Sequence, residues 1–295
     1  MELRTLRSFL AVAQEGNVTR AARMLHITQP ALSRQLAELE RELGCELLMR
    51  ESRGVTLTDN GMLLRKRAEE ILGLAERTEQ ELRSPTAEVE GDVWVGGGES
   101  RVMELVARAA HAMTTEHPAV RLRLYSGNGT DVMERVDKGL LDFGIVMGVE
   151  PPSRYEALDL GWSDDWGLLV RRDHPLASRS ILSMDDLRDE TLIVSAQVAA
   201  SPSPADPTME AVSSSGLRIV ATYTLLYNAS LLVEQGMGSA LCFGGIVAAG
   251  AGTPFAFVPM DGLTSVPSLL IWKRFQPLSR AAQLFLKTLQ DIVTT

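Results

Sequence analysis

The sequence has few cysteines and histidines, the residues that most often build metal and redox sites. It holds 2 cysteines and 4 histidines in 295 residues, scattered along the chain. Neither Cys45 nor Cys242 has a second cysteine or a histidine at metal-ligand spacing, so we predict no metal site and no cofactor. We expect the two thiols to be buried as small apolar side chains, with a redox-sensing pair as the alternative.

Long apolar runs are also absent, since no stretch approaches the roughly 18 uninterrupted apolar residues of a membrane span. The opening residues, MELRTLRSFL, lack the apolar run and cleavage site of a signal peptide. We therefore expect a cytoplasmic protein with no membrane partner. Its length is sufficient for two domains and a sizeable core.

Positive charge is scarce, because the net charge of −9 argues against nonspecific binding of nucleic acid by the whole surface. Residues 91–295 hold 16 Lys+Arg and 23 Asp+Glu, whereas residues 1–65 hold nine Arg and eight Asp+Glu. In the first 90 residues Lys66 is the only lysine, beside twelve arginines. Arginine suits bidentate contacts with guanine or phosphate, so a compact arginine-bearing face can still engage DNA locally.

The stretch TQPALSRQLAELERELG, residues 28–44, predicts one amphipathic helix. Thr28 is the expected N-cap, Pro30 is tolerated in the first turn, and Gly44 ends the helix. The expected packing seam falls within an arc of about 60° and comprises Leu32, Leu36, Leu39 and Leu43.

A separate arc of this helix carries slim polar side chains near its start, as entry into a major groove about 12 Å wide requires. Glutamine can pair with adenine, arginine with guanine, and serine with a base edge or a phosphate. For each arginine alone, the alternative is a solvated surface charge. The candidate DNA-contacting residues are Thr28, Gln29, Pro30, Ser33 and Arg34 on the helix, and Arg50 and Arg53 beside the following turn.

Residues 1–58 as a whole predict a winged helix-turn-helix. LRTLRSFLAVAQEG predicts a helix that stops at Gly16, and NVTRAARMLHI a second with Asn17 and Thr19 as candidate caps. A turn of about one or two residues leads to the helix at 28–44. CELLMRESRGVTLT then predicts two short strands around a turn at Gly54.

Residues 59–84 predict a helix roughly 37 Å long, at about 1.5 Å per residue. Apolar positions recur at spacings of four and three, which is typical of a coiled-coil seam and favours dimerisation. A core helix packed inside one globule is the alternative. The predicted seam comprises Leu64, Ala68, Ile71, Ala75, Thr78 and Leu82.

Residues 91–295 alternate short apolar strands with helical patterns, which predicts open, mostly parallel sheets. We expect two half-domains with a cleft between them. The first covers about 91–162 and 266–295, and the second about 163–265, with a crossover near residue 162. The stretch SAQVAASPSPADP, residues 195–207, is expected to be an exposed loop.

The N-terminal segment resembles the LysR-type transcriptional regulators, through TRAARMLHITQPALSRQLAELE and the wing pattern R..RGV.LT..G. LDFGIVMG, RRDHPLA and FLKTL resemble, more loosely, the effector-binding domain of that family. The resemblance implies a periplasmic-binding-protein-like effector domain of two α/β subdomains. It also implies dimers through the long helix, and usually tetramers.

Turns that follow strands are the candidate effector site, because ligands of open α/β sheets lie beyond strand ends and near helix N-termini. By the resemblance, these turns are where the family binds its effector; simple N-capping is the alternative for each. Free helix N-termini favour an anion, so we expect a small carboxylate, although Glu99 would repel it unless paired with Arg101. The candidate residues are Glu99, Ser100, Arg101, Ser126, Asn128, Thr130, Ser195 and Asn228.

These patterns predict a transcription regulator that is not an enzyme. Its expected partners are promoter or operator DNA, a small-molecule effector, further copies in a homodimer or homotetramer, and RNA polymerase. We expect the effector to shift the two half-domains and so the arms of the dimer, with a coupling of about 1–3 kcal/mol. The rivals are a solute-binding protein and an enzyme, but VGGGES lacks a GxGxxG pattern and no GxSxG, HExxH or Walker sequence occurs.

Overall fold

A computed structural model of the protein describes residues 1–51, 54–83, 89–200, 216–263 and 265–294. The chain divides into two compact units, Met1–Pro85 and Thr86–Thr295. Each unit has hydrophobic clusters of its own. Among the helices of the described residues, none combines the length and apolar character that crossing a bilayer requires.

The described residues of the first unit form four helices and a two-stranded wing. Its helices are α1 (Leu3–Glu15), α2 (Val18–Met24), α3 (Gln29–Leu43) and α4 (Asp59–Arg83). Gly16 ends α1 in the left-handed conformation, with φ of 58°. Asn17 caps α2 by accepting a hydrogen bond from the Arg20 N–H at 3.0 Å, which confirms one of its two candidate caps.

The turn between α2 and α3 covers residues 25–28 and is longer than predicted. His26 takes a left-handed backbone, with φ of 55°, and this conformation ends the helical course after Met24. The predicted ends of α3 are confirmed, because Thr28 is its N-cap and Gly44 follows it with φ of 70°.

The wing pairs β1 (Leu48–Glu51) antiparallel with β2 (Gly54–Leu57). The backbone N–H of Val55 donates to the carbonyl oxygen of Gly16 at 2.9 Å, which fixes the wing against the end of α1. A Cβ atom on Gly54 would lie 2.5 Å from that same oxygen, so the close approach requires glycine there.

The apolar face of α3 fills the centre of this unit through Leu32, Leu36 and Leu39, all fully or nearly buried. The predicted seam is wrong at its last member, because Leu43 is 41% exposed. It lies in the final helical turn, immediately before Gly44, and it is not a member of the buried cluster that the other three leucines form.

The first half of α4 packs within its own unit. Ala68 is 0% and Leu72 7% exposed, and both contact Leu6 of α1, with Leu64 beside them. The prediction that Ala68 faces a second chain is therefore wrong, because α1 already covers it. Leu64 is only half-buried, and its place in the seam stays a prediction. The alternative of a core helix holds for this half of α4.

In the part of the second unit that the structure describes, the strands form two five-stranded sheets. The first consists of β3 (Gly91–Gly97), β4 (Val120–Ser126), β5 (Phe143–Met147), β6 (Tyr155–Asp164) and β12 (Val266–Lys273). The second consists of β7 (Trp166–Arg171), β8 (Thr191–Ser195), β9 (Arg218–Tyr223), β10 (Ser239–Phe243) and β11 (Phe255–Pro259).

Five described helices accompany these sheets. They are α5 (Met103–Glu116), α6 (Gly129–Asp137), α7 (Ala196–Ala200), α8 (Leu226–Glu234) and α9 (Arg280–Thr294). Short 3₁₀ helices cover Pro175–Ser178 and Met184–Leu187. The predicted loop at residues 195–207 instead begins with the end of β8 and α7; from residue 201 on it lies outside the described residues.

Both sheets are mixed, which corrects the prediction of mostly parallel sheets. In the first, β3 pairs parallel with β4 and β5, whereas β12 pairs antiparallel with β5 and β6. In the second, β8 pairs parallel with β9 and β10, whereas β7 pairs antiparallel with β10 and β11. The antiparallel strands are those through which the chain crosses between sheets.

The two crossings lie side by side. The chain leaves the first sheet at Asp164, the last residue of β6, and returns to it at Val266, the first residue of β12. These two residues are direct partners in the antiparallel register. The adjacent crossings form the hinge between two subdomains that share one unit.

Candidate functional site

The start of α3 presents its side chains to solvent. Thr28, Gln29 and Pro30 are exposed, and the Thr28 hydroxyl accepts a hydrogen bond from the Ala31 N–H at 3.4 Å. Pro30 lies in the first helical turn, where its missing N–H leaves no helical hydrogen bond unmade. This end of the helix therefore has the slim outline that a groove requires.

Gln29 is bonded to Ser33, one helical turn further along: the Gln29 side-chain amide donates to the Ser33 hydroxyl at 2.8 Å. Ser33 is half-buried and Arg34 is exposed. Within the part of the chain that the structure describes, no acidic side chain pairs with Arg34. Its guanidinium is therefore available to an external acceptor such as a base edge or a phosphate.

The wing carries the remaining predicted DNA contacts. Arg50 occupies a backbone position in β1 opposite Val55, and Arg53 lies outside the described residues. The contacts of Arg50 and Arg53 with DNA therefore stay predictions.

Glu40 has a role that the sequence did not reveal. Its carboxylate accepts hydrogen bonds from the backbone N–H groups of Leu47, at 2.8 Å, and Leu48, at 3.1 Å. Helical spacing places Glu40 on the same side of α3 as Gln29 and Ser33, but its contacts assign it to the join between α3 and the wing. The sequence carries no signal of this role, because the contacts join Glu40 to residues seven and eight positions further along the chain.

In the second unit, a cavity of about 420 Å³ lies beside the loop that follows β3. Four predicted effector residues line it: Glu99, Ser100, Arg101 and Ser126. The second subdomain contributes Gly245 and Ile246, which follow β10. The cavity therefore lies between the two subdomains, as the sequence predicted for the cleft.

The other four predicted effector residues are not brought to this cavity. Asn128 caps α6 by accepting from the Asp131 N–H at 2.9 Å, and Ser195 accepts from the Gln197 N–H at 3.3 Å. For these two the capping alternative is the one observed. Thr130 and Asn228 are exposed near the starts of α6 and α8.

Ser100 is turned towards the hinge and is only 8% exposed. Its hydroxyl donates to the carboxylate of Asp164 and accepts from the Val102 N–H at 3.1 Å. Burial raises the pKa of Asp164, while hydrogen bonds from Ser100 and from Trp162 act in the opposite direction. Ser100 therefore holds the loop to the hinge.

Arg101 pairs with Glu104, which follows it by three residues. Its Nε and Nη2 donate to Oε1 of Glu104 at 2.9 and 2.8 Å, and its guanidinium lies 5.5 Å from the centre of the Trp162 ring. A Cβ atom on Gly245 would overlap the Arg101 side chain, so the two residues are in contact across the cleft. The pairing with Arg101 that would neutralise Glu99 towards an anion is therefore not formed.

Glu99 instead reaches the second subdomain. Its carboxylate accepts a hydrogen bond from the backbone N–H of Leu226, the first residue of α8. This contact joins residues 127 positions apart, and sequence spacing carries no sign of it.

The two thiols are free, as the structure describes them. Cys242 is fully buried, and burial raises the pKa of its thiol to about 12, which keeps it protonated and unreactive. Cys45 is partly buried. Among the described residues, no group of three or more His, Cys, Asp or Glu side chains is placed to hold a metal ion.

Comparison with known proteins agrees with this arrangement. Residues 3–62 match the family described as "Bacterial regulatory helix-turn-helix protein, lysR family", and residues 86–293 match the "LysR substrate binding domain". The chain belongs to the LysR family. Its likeness to LysR regulators covers both units of the chain.

Two similar proteins illustrate the likeness. The HTH-type transcriptional regulator AlsR of Bacillus subtilis is 33% identical over 202 residues, which is 68% of this chain and 66% of AlsR. The solved structure of CbnR, a LysR family transcriptional regulator, is 26% identical, with a TM-score of 0.77 and 99% of each chain covered. CbnR has also been solved in complex with its target DNA, with a TM-score of 0.76 and 25% identity to this chain.

Proposed function

We propose that the chain is a sequence-specific DNA-binding transcription regulator whose second unit binds a small-molecule effector in the cleft. The observation that carries the proposal is the exposed start of α3, with its unpaired Arg34, in a helix-turn-helix that matches the LysR family. The proposed domains are 1–58 for DNA binding, 59–84 for the linker helix and 91–295 for the effector.

The proposed DNA contacts divide by chemistry. Arg34 and Gln29 read base edges in the major groove, where arginine pairs with guanine and glutamine with adenine. Thr28 and Ser33 contact bases or phosphates, and Pro30 contacts a thymine methyl. Arg50 and Arg53 on the wing neutralise phosphates or enter the minor groove.

Pairing of two copies through α4 is part of the proposal. The side chains that α1 leaves uncovered include Leu63 at 57%, Ile71 at 37% and Leu74 at 44% exposed. A second copy would cover this surface, with Ala75, Thr78 and Leu82 continuing it. The resulting homodimer, or a homotetramer built from two dimers, would read two half-sites of matching symmetry.

The effector is proposed to act by changing how the two subdomains meet at the hinge. A ligand shifts such an equilibrium only if it binds one arrangement more tightly than the other. The expected readout is a change at the promoter, where RNA polymerase is the proposed partner. A cytoplasmic location remains a prediction.

The proposal is tested by a gel-shift titration of the full chain on the intergenic DNA upstream of its own gene. A duplex of identical length and scrambled sequence is the control. We expect a specific shift that weakens steeply with salt, with a log–log slope of about −0.9 per phosphate neutralised. Equal affinity for both duplexes would contradict the proposal, and an enzyme or a solute-binding protein would show that result.

A further inference from the structure

Helix α8 has no cap of its own. Its N-cap position is Leu225, in an extended conformation with φ of −125°, and no side chain there accepts a hydrogen bond. The first turn holds no acidic residue. A helix start of this kind leaves backbone N–H groups unsatisfied and carries a positive partial charge.

The missing acceptor comes from the opposite subdomain. Leu226 is only 1% exposed, so little water reaches this part of the helix start, and the carboxylate of Glu99 accepts its N–H instead. A charged acceptor on a buried donor at a helix N-terminus is among the stronger hydrogen bonds in proteins.

The loop that carries Glu99 is anchored on both sides of the cleft. Ser100 is bonded to Asp164 at the hinge, and Arg101 lies against Gly245 after β10. Glu99, Ser100 and Arg101 therefore contact the start of α8, the hinge and the turn after β10, respectively. The contacts of Ser100 and Arg101 therefore hold the backbone of Glu99 at the cleft.

The charge beside the cavity is negative. Glu99 and Glu104 line it together with Arg101, and Arg101 is already engaged by Glu104. Burial raises the pKa of the nearby Tyr223, and electrostatic repulsion from Cys242 and Glu99 raises it further. A carboxylate ligand that approached α8 would meet the carboxylate of Glu99 at the same N–H group.

We propose that Glu99 is a built-in anionic latch that determines specificity: it joins the two subdomains at α8 and excludes a carboxylate from that position. At the start of α8, the effector then presents a group other than a carboxylate. This inference rests on the proposed function of the cleft. It departs from the expectation of a small carboxylate, which assumed that the start of α8 was free.

The test is hydrogen–deuterium exchange of the full chain, followed in a peptide that contains Leu226, for the wild type and the Glu99→Ala variant. The probe is sodium acetate, compared with sodium chloride at equal ionic strength. We expect the Leu226 amide to exchange about tenfold faster in Glu99→Ala, because its buried acceptor is lost. Acetate should slow this exchange in the variant and leave the wild type unchanged.

Glu104→Ala is the matched control, since it removes a carboxylate from the same cavity without touching α8. We expect its Leu226 amide to remain as protected as in the wild type. Unchanged exchange in Glu99→Ala, or an equal response to acetate in wild type and variant, would overturn the latch. Far-UV circular dichroism of the same samples shows whether Glu99→Ala is folded. Operator binding by the wild type is measured beside it, and its absence would contradict the proposed function and not the latch.

Discussion

The hydroxyl of Ser100 donates a hydrogen bond to the carboxylate of Asp164, at the point where the chain leaves the first sheet of the second unit. Both residues are buried, with 8% and 4% exposure. This pair ties the cavity loop to the hinge, so the position of the loop depends on the position of the crossing strands. A ligand that moves the loop would therefore act on the hinge through this hydrogen bond.

We predict that Ser100→Ala destabilises the second unit by about 1–3 kcal/mol, because a buried carboxylate loses one of its donors. Urea unfolding followed by tryptophan fluorescence measures this unit selectively, since all 4 tryptophans lie in it. Ser126→Ala, at an exposed position on the same cavity, is the control and should change stability by less than about 0.5 kcal/mol. Equal effects of the two substitutions would show that the bond contributes nothing.

Asp164 should make the stability of this unit depend on pH in a predictable direction. Burial raises its pKa above the ordinary value of 3.8, so the folded chain keeps a proton that the unfolded chain has released. Protonation favours the folded state, and the contribution of Asp164 to stability falls as pH rises from 3.8 towards the raised pKa.

Comparison with Asp164→Asn isolates this effect, because the other carboxylates are common to both chains. We expect the wild type to gain stability relative to the variant as pH is lowered through that window, by the same fluorescence assay. A stability difference that is constant with pH, or that changes in the opposite direction, would rule out the raised pKa.

The exposed stripe on α4 is predicted to hold the oligomer together. Replacing Ile71 and Leu74 by glutamate places charge on that surface, so we expect sedimentation velocity to show monomers at concentrations where the wild type is a dimer or tetramer. Leu43→Glu is the matched control, because Leu43 is 41% exposed but lies at the end of α3. An unchanged oligomer in the double variant would place the interface elsewhere.

The elements of the first unit could be predicted because local rules determine them. The cap at Thr28, the glycines that end α1 and α3, and the span of α4 follow from residues adjacent in sequence. The partial burial of α4 did not follow, because a seam facing a second chain and a seam facing α1 have the same spacing.

Strand β6 and the mixed sheets were missed for a different reason. The sequence of β6, YEALDLGWSD, mixes apolar and polar residues without a continuous apolar run, so the sequence predicts only a crossover near residue 162 in this region. The antiparallel course of β12 depends on the chain returning through the hinge, and no residue within β12 encodes a direction. Pairing direction is a property of the whole chain path.

At the cleft, the sequence identified the loop after β3 and misjudged its contacts. Ser100 bonds to Asp164, 64 positions away, which only the folded chain brings within reach. Arg101 pairs with Glu104 three residues further on, a local contact that helical spacing allows. Glu99 was flagged as unusual from its charge alone. Its bond to Leu226 could not be foreseen, because an uncapped helix start does not reveal where its acceptor lies.

The most direct test of the account is operator binding by Arg34→Ala, measured by fluorescence anisotropy on the operator and on a duplex with the recognised bases changed. Arg41→Ala is the matched control, an exposed arginine in the last turn of the same helix. We predict that Arg34→Ala loses about 1–3 kcal/mol of binding to the operator and discriminates less between the duplexes, whereas Arg41→Ala keeps its selectivity. Operator affinity and selectivity that survive Arg34→Ala unchanged would contradict the central claim that the start of α3 reads DNA.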